Sequence, residues 1–240
     1  MHYMDLYITH GAFWKIERRA KDYDIYMKER KDWKKWPDSV SLEEIKKLLN
    51  FIPKWDYHFR GKDPERFFEI YNEILSTIKE LEHERLENAN LNTELIQKIK
   101  TVFDEVAQCS GEAYESTDCS KILHTILPNL IVMWDREIRK RIVGHENKKE
   151  AAIYALEFLP QMQKELQESI KTCMEEEGLN RKEAIEYIRE SCGYETLPKL
   201  IDEHNFAIYT KSVEFRDYLE KLKEQNKITI KEYRRLANKL

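Results

Sequence analysis

Glycine and proline are scarce. There are 6 of each in 240 residues, under half the share of about 12% that these two breakers usually supply. A chain so short of turn formers does not suit a β-sandwich or barrel, which turns every few residues. Cysteine is sparse as well. The four cysteines, at positions 109, 119, 173 and 192, include no Cys-x-x-Cys pair, which argues against a zinc ribbon or a thioredoxin-like redox site. They read as reduced thiols of a cytoplasmic protein. No apolar run reaches the roughly 18 residues that cross a bilayer. Met1-His2-Tyr3-Met4-Asp5 lacks the basic and apolar regions of a signal peptide. No membrane partner is expected. A Gly-x-x-x-x-Gly-Lys-Ser/Thr phosphate loop and a Gly-x-Ser-x-Gly elbow are both missing, which argues against an ordinary nucleotide-hydrolysing or serine-hydrolase fold. Nor does one charge sign dominate: 41 Lys and Arg stand against 45 Asp and Glu, net −4. A protein that coats DNA is more basic, so nucleic-acid binding is restricted to a local patch.

What is present suits long amphipathic helices. Charged residues make up 36% of the chain and hydrophobic ones 41%. Apolar residues recur at spacings of three and four, as in Phe67, Tyr71, Ile74, Ile78 and Leu81. Capping boxes at Ser41–Glu44 and Thr229–Glu232 mark helix starts. So does Asp63 followed by Pro64. Trp36-Pro37-Asp38 closes the first helical segment, and Pro53 is expected to stop the helix after Phe51. Asp118 is expected to cap a helix through Leu127, and Pro160 to kink or split the helix over 148–177. The reading is an all-α globule of about ten helices with no strand. Residues 1–210 form one helical domain and 211–240 a helical extension.

The most individual stretch is Ser120-Lys121-Ile122-Leu123-His124, followed by Pro128-Asn129-Leu130-Ile131-Val132-Met133-Trp134-Asp135. It resembles a motif of uncharacterised all-helical prokaryotic proteins. Phe158-Leu159-Pro160-Gln161-Met162-Gln163 and the segment from Leu197 to Asn205 extend the likeness over about residues 41–210. The order of a helix, an apolar connection and an aspartate opening the next helix is also distantly similar to helix-hairpin-helix DNA glycosylases. That resemblance implies a two-lobed helical fold with the motif between the lobes, a role in nucleic-acid repair or defence, and Asp135 in the catalytic position. The glycine hairpin of those enzymes is replaced here by Ala113-Tyr114-Glu115-Ser116-Thr117-Asp118. Without glycine, backbone amides approach a phosphate less closely.

Candidate catalytic residues are therefore Asp135, His124 and Lys121. Candidate nucleic-acid contacts are Trp134, Arg136, Arg139 and Lys140, the last three in a segment, Arg136 to Lys149, with six basic residues against two acidic. A second basic segment, Lys15 to Lys35, has nine against five, interleaved with Tyr23, Tyr26 and Trp33. Such mixtures can hold phosphates and stack bases. Each residue has a plainer reading beside it. Asp135 suits a helix N-cap, Trp134 a core anchor, His124 a hydrogen-bonded core histidine, and the basic residues a solvated helix face. Glu80-x-x-His83 has di-iron spacing but no second copy. His145-Glu146 lacks the second histidine of a zinc protease. No metal or cofactor is expected. Glu203 and His204 remain weaker candidates, because neighbours on a helix point apart. The expected partner is nucleic acid. The alternatives are a protein partner or second copy that meets an apolar helix face, and a small-molecule enzyme using Asp135 with His124 or Glu203.

Overall fold

The computed structural model describes residues 1–31, 39–55, 59, 63–108, 116–144, 151–193 and 195–240. Among them are twelve helices and no strand. Helices α1 (Tyr3–Ile16), α2 (Ala20–Lys31) and α3 (Leu42–Trp55) lead into α4 (Pro64–Glu82), α5 (Thr93–Gln108) and α6 (Ser116–Ile126). An extended segment then reaches α7 (Arg136–Val143). Next come α8 (151–177), α9 (Arg181–Ser191) and α10 (Leu197–Asn205). The chain closes with α11 (Ser212–Glu224) and α12 (Ile230–Ala237). No described helix is long and apolar enough to cross a membrane.

Local chemistry sets most boundaries. Glu44 N–H donates to Ser41 Oγ at 3.2 Å while Ser41 N–H donates back to Glu44 at 2.7 Å. Asp63 accepts from Arg66 N–H, with Pro64 opening α4. Asn180–Glu183 and Thr229–Glu232 form reciprocal boxes at α9 and α12. Each satisfies amides that the first turn leaves unpaired. Gly144, Gly178 and Gly193 take φ of 71°, 68° and 66°, a left-handed geometry that glycine adopts without strain and that stops a helix.

Two expectations are corrected. Pro53 lies inside α3, which runs on to Trp55. The ring withholds one amide from Leu49, but Ile52 and Trp55 are buried and Arg19 Nη1 donates to the Trp55 carbonyl at 2.8 Å, so packing holds the last turn. Helix α6 starts at Ser116, leaving Asp118 inside its first turn and not at its cap. Pro160 does interrupt the α-helical run of α8, as expected. The turn before it, Tyr154–Phe158, widens to π geometry, with Leu159 N–H donating to the Tyr154 carbonyl. The widened turn absorbs the amide that proline lacks. Trp36-Pro37-Asp38, His145-Glu146, the basic residues at 148 and 149, and most of the segment replacing the glycine hairpin lie outside the described residues.

The main core gathers around Trp134, Phe103, Tyr154 and Phe158, whose rings stand 4.6–6.4 Å apart, edge-on, tilted and stacked. A smaller cluster joins Ile8 and Ala12 of α1 to Ala207, Ile208, Phe215, Leu219 and Leu236. Residues 211–240 thus pack on the N-terminal helix. Arg235 and Lys239 both reach the buried Asp5 carboxylate, at 2.7 and 3.0 Å.

Candidate functional site

The segment between α6 and α7 has no helical partners for its backbone, so buried side chains supply them. Ser120 Oγ accepts from Trp134 N–H at 3.2 Å and donates toward the Trp134 carbonyl at 3.3 Å. Tyr154 Oη does the same for Val132, at 3.1 and 2.7 Å. His124 Nδ1 lies 2.6 Å from the Ile131 carbonyl. A carbonyl only accepts, so Nδ1 carries the proton and Nε2 is left to accept from Tyr23 O–H at 2.8 Å. Burial holds His124 down at about 3, so the ring is neutral.

The bracket presents Asp135 at the start of α7. One carboxylate oxygen accepts from Ile138 N–H at 2.9 Å, and the other from Thr210 O–H at 2.6 Å. Asp135 is half-buried and lines a recess of about 60 Å³. Lys121, Asp202, Glu17 and Arg19 line the same recess, between the rings of Trp55 and Phe206. That is room for about two waters, too little for an organic cofactor.

Behind Asp202 lies a network of buried charge. Every residue of α10 is buried. Lys199 Nζ stands 3.1 Å from Asp202 and 3.1 Å from Glu203 Oε1. The second is an ion-pair contact without hydrogen-bond alignment. The ammonium also sits 4.0, 5.1 and 5.7 Å from the ring centres of Phe13, Tyr23 and Trp55. Burial opposes the charge on Lys199, but Glu203, Asp202 and Glu195 outweigh it and hold the group above its usual range. Burial pushes the Asp202 carboxyl up to about 6; Lys199 pulls against this, and the nearby Glu203 and Asp135 carboxylates reinforce it. Glu203 also accepts from His10 Nδ1 at 2.7 Å. On the far side, His204 lies between Thr9 and Lys239, at 3.4 Å from each. Burial, seconded by Lys239, holds its imidazole at about 3.

The residues singled out from sequence separate into two groups. Asp135 and Lys121 meet at the recess, and Arg136 and Lys140 stand exposed on α7 beside it. The other three turn inward. His124 is fully buried and both ring nitrogens are engaged, so it has no proton route to a ligand and serves the bracket. Trp134 is 1% exposed, with Phe103, Tyr154 and Phe158 around it and its Nε1–H donating to the Ser116 carbonyl; no face remains for a base. Arg139 is buried against Trp134 and donates to Ser116 Oγ, which keeps it from phosphates. Glu80 is paired with Lys98 at 2.7 Å. Among the described residues no three His, Cys, Asp or Glu side chains gather as metal ligands.

Sequence reasoning missed Lys199, Asp202 and His10. The signal was present for the first two: a lysine with acids three and four positions on shares a helix face with them. The partnership of Glu203 with His10 crosses between helices far apart in the chain and leaves no local pattern. Comparison with known proteins finds no matching family model, no similar curated protein and no similar solved structure.

Proposed function

We propose that this protein binds nucleic acid at the Asp135 end of the molecule, in a repair or defence role. The observation that carries the reading is the placement of Asp135. Its carboxylate caps α7 and still lines a small recess with Lys121 and Arg19, while α7 holds Arg136, Lys140 and Arg141 exposed beside it. A polyanion brought to α7 would meet these cations, and phosphate contacts fix position without reading sequence. The small recess admits no whole base, so binding is the function supported and catalysis is not invoked. Mobility-shift titration with single- and double-stranded oligonucleotides across a salt series tests it. Binding that weakens steeply with salt is expected; no shift near ~50 mM salt overturns the proposal.

The interaction-protein alternative gains less. Among the described residues, the exposed large apolar side chains, Tyr7, Trp14, Ile25, Leu156, Tyr187, Val213 and Ile230, are spread over six helices, and no helix carries more than two. These do not form the long apolar stripe that a helix-packing partner needs.

A further inference from the structure

Among the described residues, a groove of about 1620 Å³ lies between α1 and α11. Gly11 lines it where the helices meet: a Cβ there would stand 3.0 Å from Tyr218 Oη. The walls are unevenly charged. Six Lys or Arg line the groove with only three acids. Two of those acids are already neutralised, Glu17 by Arg19 at 2.8 Å and Glu214 by Lys211 at 3.1 Å. Lys15, Arg18, Lys221 and Lys227 are exposed and make no ion pair among the described residues, with Asp217 their only unpaired counter-charge in the groove. A molecule of net charge −4 thus concentrates unneutralised positive charge in this groove.

Aromatic rings share that groove. Tyr7 is 51% and Trp14 37% exposed. They stand seven positions apart on α1, so they share a face about 10 Å apart along the axis. Trp14 meets His10 edge-on, leaving ring surface toward the groove. Glu17 and Arg19 line both the groove and the Asp135 recess, so the two lie side by side.

We propose that this groove is the track of a single-stranded nucleic acid, with bases against Tyr7 and Trp14 and phosphates against Lys15, Arg18, Lys221 and Lys227. The inference rests on the nucleic-acid reading and names its ligand class and route. Unpaired cations beside exposed rings match what a single strand offers, a flexible polyanion with free base faces. A duplex hides its base faces, and an acidic peptide has none.

Fluorescence anisotropy on the full chain tests the track, using labelled oligothymidylate of about 16 nucleotides, a duplex of equal length and polyglutamate. The single strand binds best, and log Kd varies with log salt with a slope of magnitude about 3, from four phosphate contacts. The pair Lys15→Glu/Arg18→Glu and the pair Lys221→Glu/Lys227→Glu each roughly halve that slope. Trp14→Ala weakens binding about tenfold or more. All these positions are solvent-facing, and unchanged circular dichroism and melting confirm that the variants fold. Unaltered slopes in both groove pairs, with binding lost instead in Arg136→Glu/Lys140→Glu, overturn the track but leave nucleic-acid binding standing. Preference for the duplex or for polyglutamate overturns the single-strand assignment. No binding of either nucleic acid overturns both readings.

Discussion

Thr210 donates a hydrogen bond of 2.6 Å to Asp135 across 75 positions of sequence. The donor sits at the end of a π turn, Phe206–Thr210, that continues α10, and the acceptor caps α7. The carboxylate therefore joins the buried charge network to the helix bearing Arg136 and Lys140. Asp135→Ala removes both the cap and the cross-link and should cost about 2 kcal/mol. Asp135→Asn keeps an oxygen for Ile138 N–H, and the Thr210 hydroxyl can turn to accept from the amide, so it should cost less than half as much. Urea titration of the two variants checks this. Equal losses would show that the cap contributes little.

Lys199 is enclosed by two carboxylates and three aromatic rings. Lys199→Met leaves Asp202 and Glu203 buried without a counter-charge and should destabilise by about 3–5 kcal/mol. Adding Glu203→Gln removes one stranded charge, so the double variant should be more stable than Lys199→Met alone. A double-mutant cycle by denaturant unfolding measures the coupling. Simple additivity would contradict the ion-pair account.

Acid should unfold the protein earlier than its carboxylates alone require. His124 and His204 each fall from 6.5 to about 3 on folding. Between those values the unfolded chain takes up protons that the folded chain refuses, so stability drops as pH falls below about 6.5. Asp202 acts in the opposite sense. Its rise from 3.8 to about 6 makes the folded state bind the extra proton, so its contribution improves as pH falls through 6. One upward shift of about two units is outweighed by two downward shifts of more than three. Urea midpoints at pH 7, 5.5 and 4.5 should therefore decline steadily. A flat profile from pH 7 to 5 would exclude charging of these imidazoles as the cause.

Tyr154→Phe keeps the ring in the core and deletes only the hydroxyl that serves both polar groups of Val132. Stranding a buried amide and carbonyl should cost about 2–4 kcal/mol. Ser120→Ala strands the Trp134 amide and should cost about 1–3 kcal/mol, because the single Ser120 proton already lies nearer the Thr117 carbonyl, at 2.8 Å, than the Trp134 carbonyl. Thermal melting of both variants tests the bracket; losses under ~0.5 kcal/mol would show that water replaces the side chains.

The helices were legible because their signals are local. Capping boxes at Ser41 and Thr229, and the aspartate caps at 63 and 135, act within one turn, and each forms where its spacing puts it. Proline was misjudged at Pro53, where burial of Ile52 and Trp55 holds a turn that lacks one amide; at Pro160 the α-helix gives way to a π turn. The central motif was visible as a motif, but its chemistry was not. Ser120 and His124 serve backbone groups of a segment whose path only the fold reveals, and Trp134 fills the core beneath it. The groove was invisible for the same reason. Lys15 and Arg18 come from one end of the chain and Lys221 and Lys227 from the other, and no spacing rule connects them.

The clasp of Arg235 and Lys239 on Asp5 also constrains the order in which the molecule assembles. A carboxylate sealed in the first helix has neither of these counter-ions until residue 235 has been synthesised. On the ribosome the opening helix must wait, its acid still hydrated, while 230 residues follow. Final seating of the N-terminal helix is thus a late step, and shortening the chain before Arg235 should leave Asp5 with a debt of solvation that drives that helix back toward water.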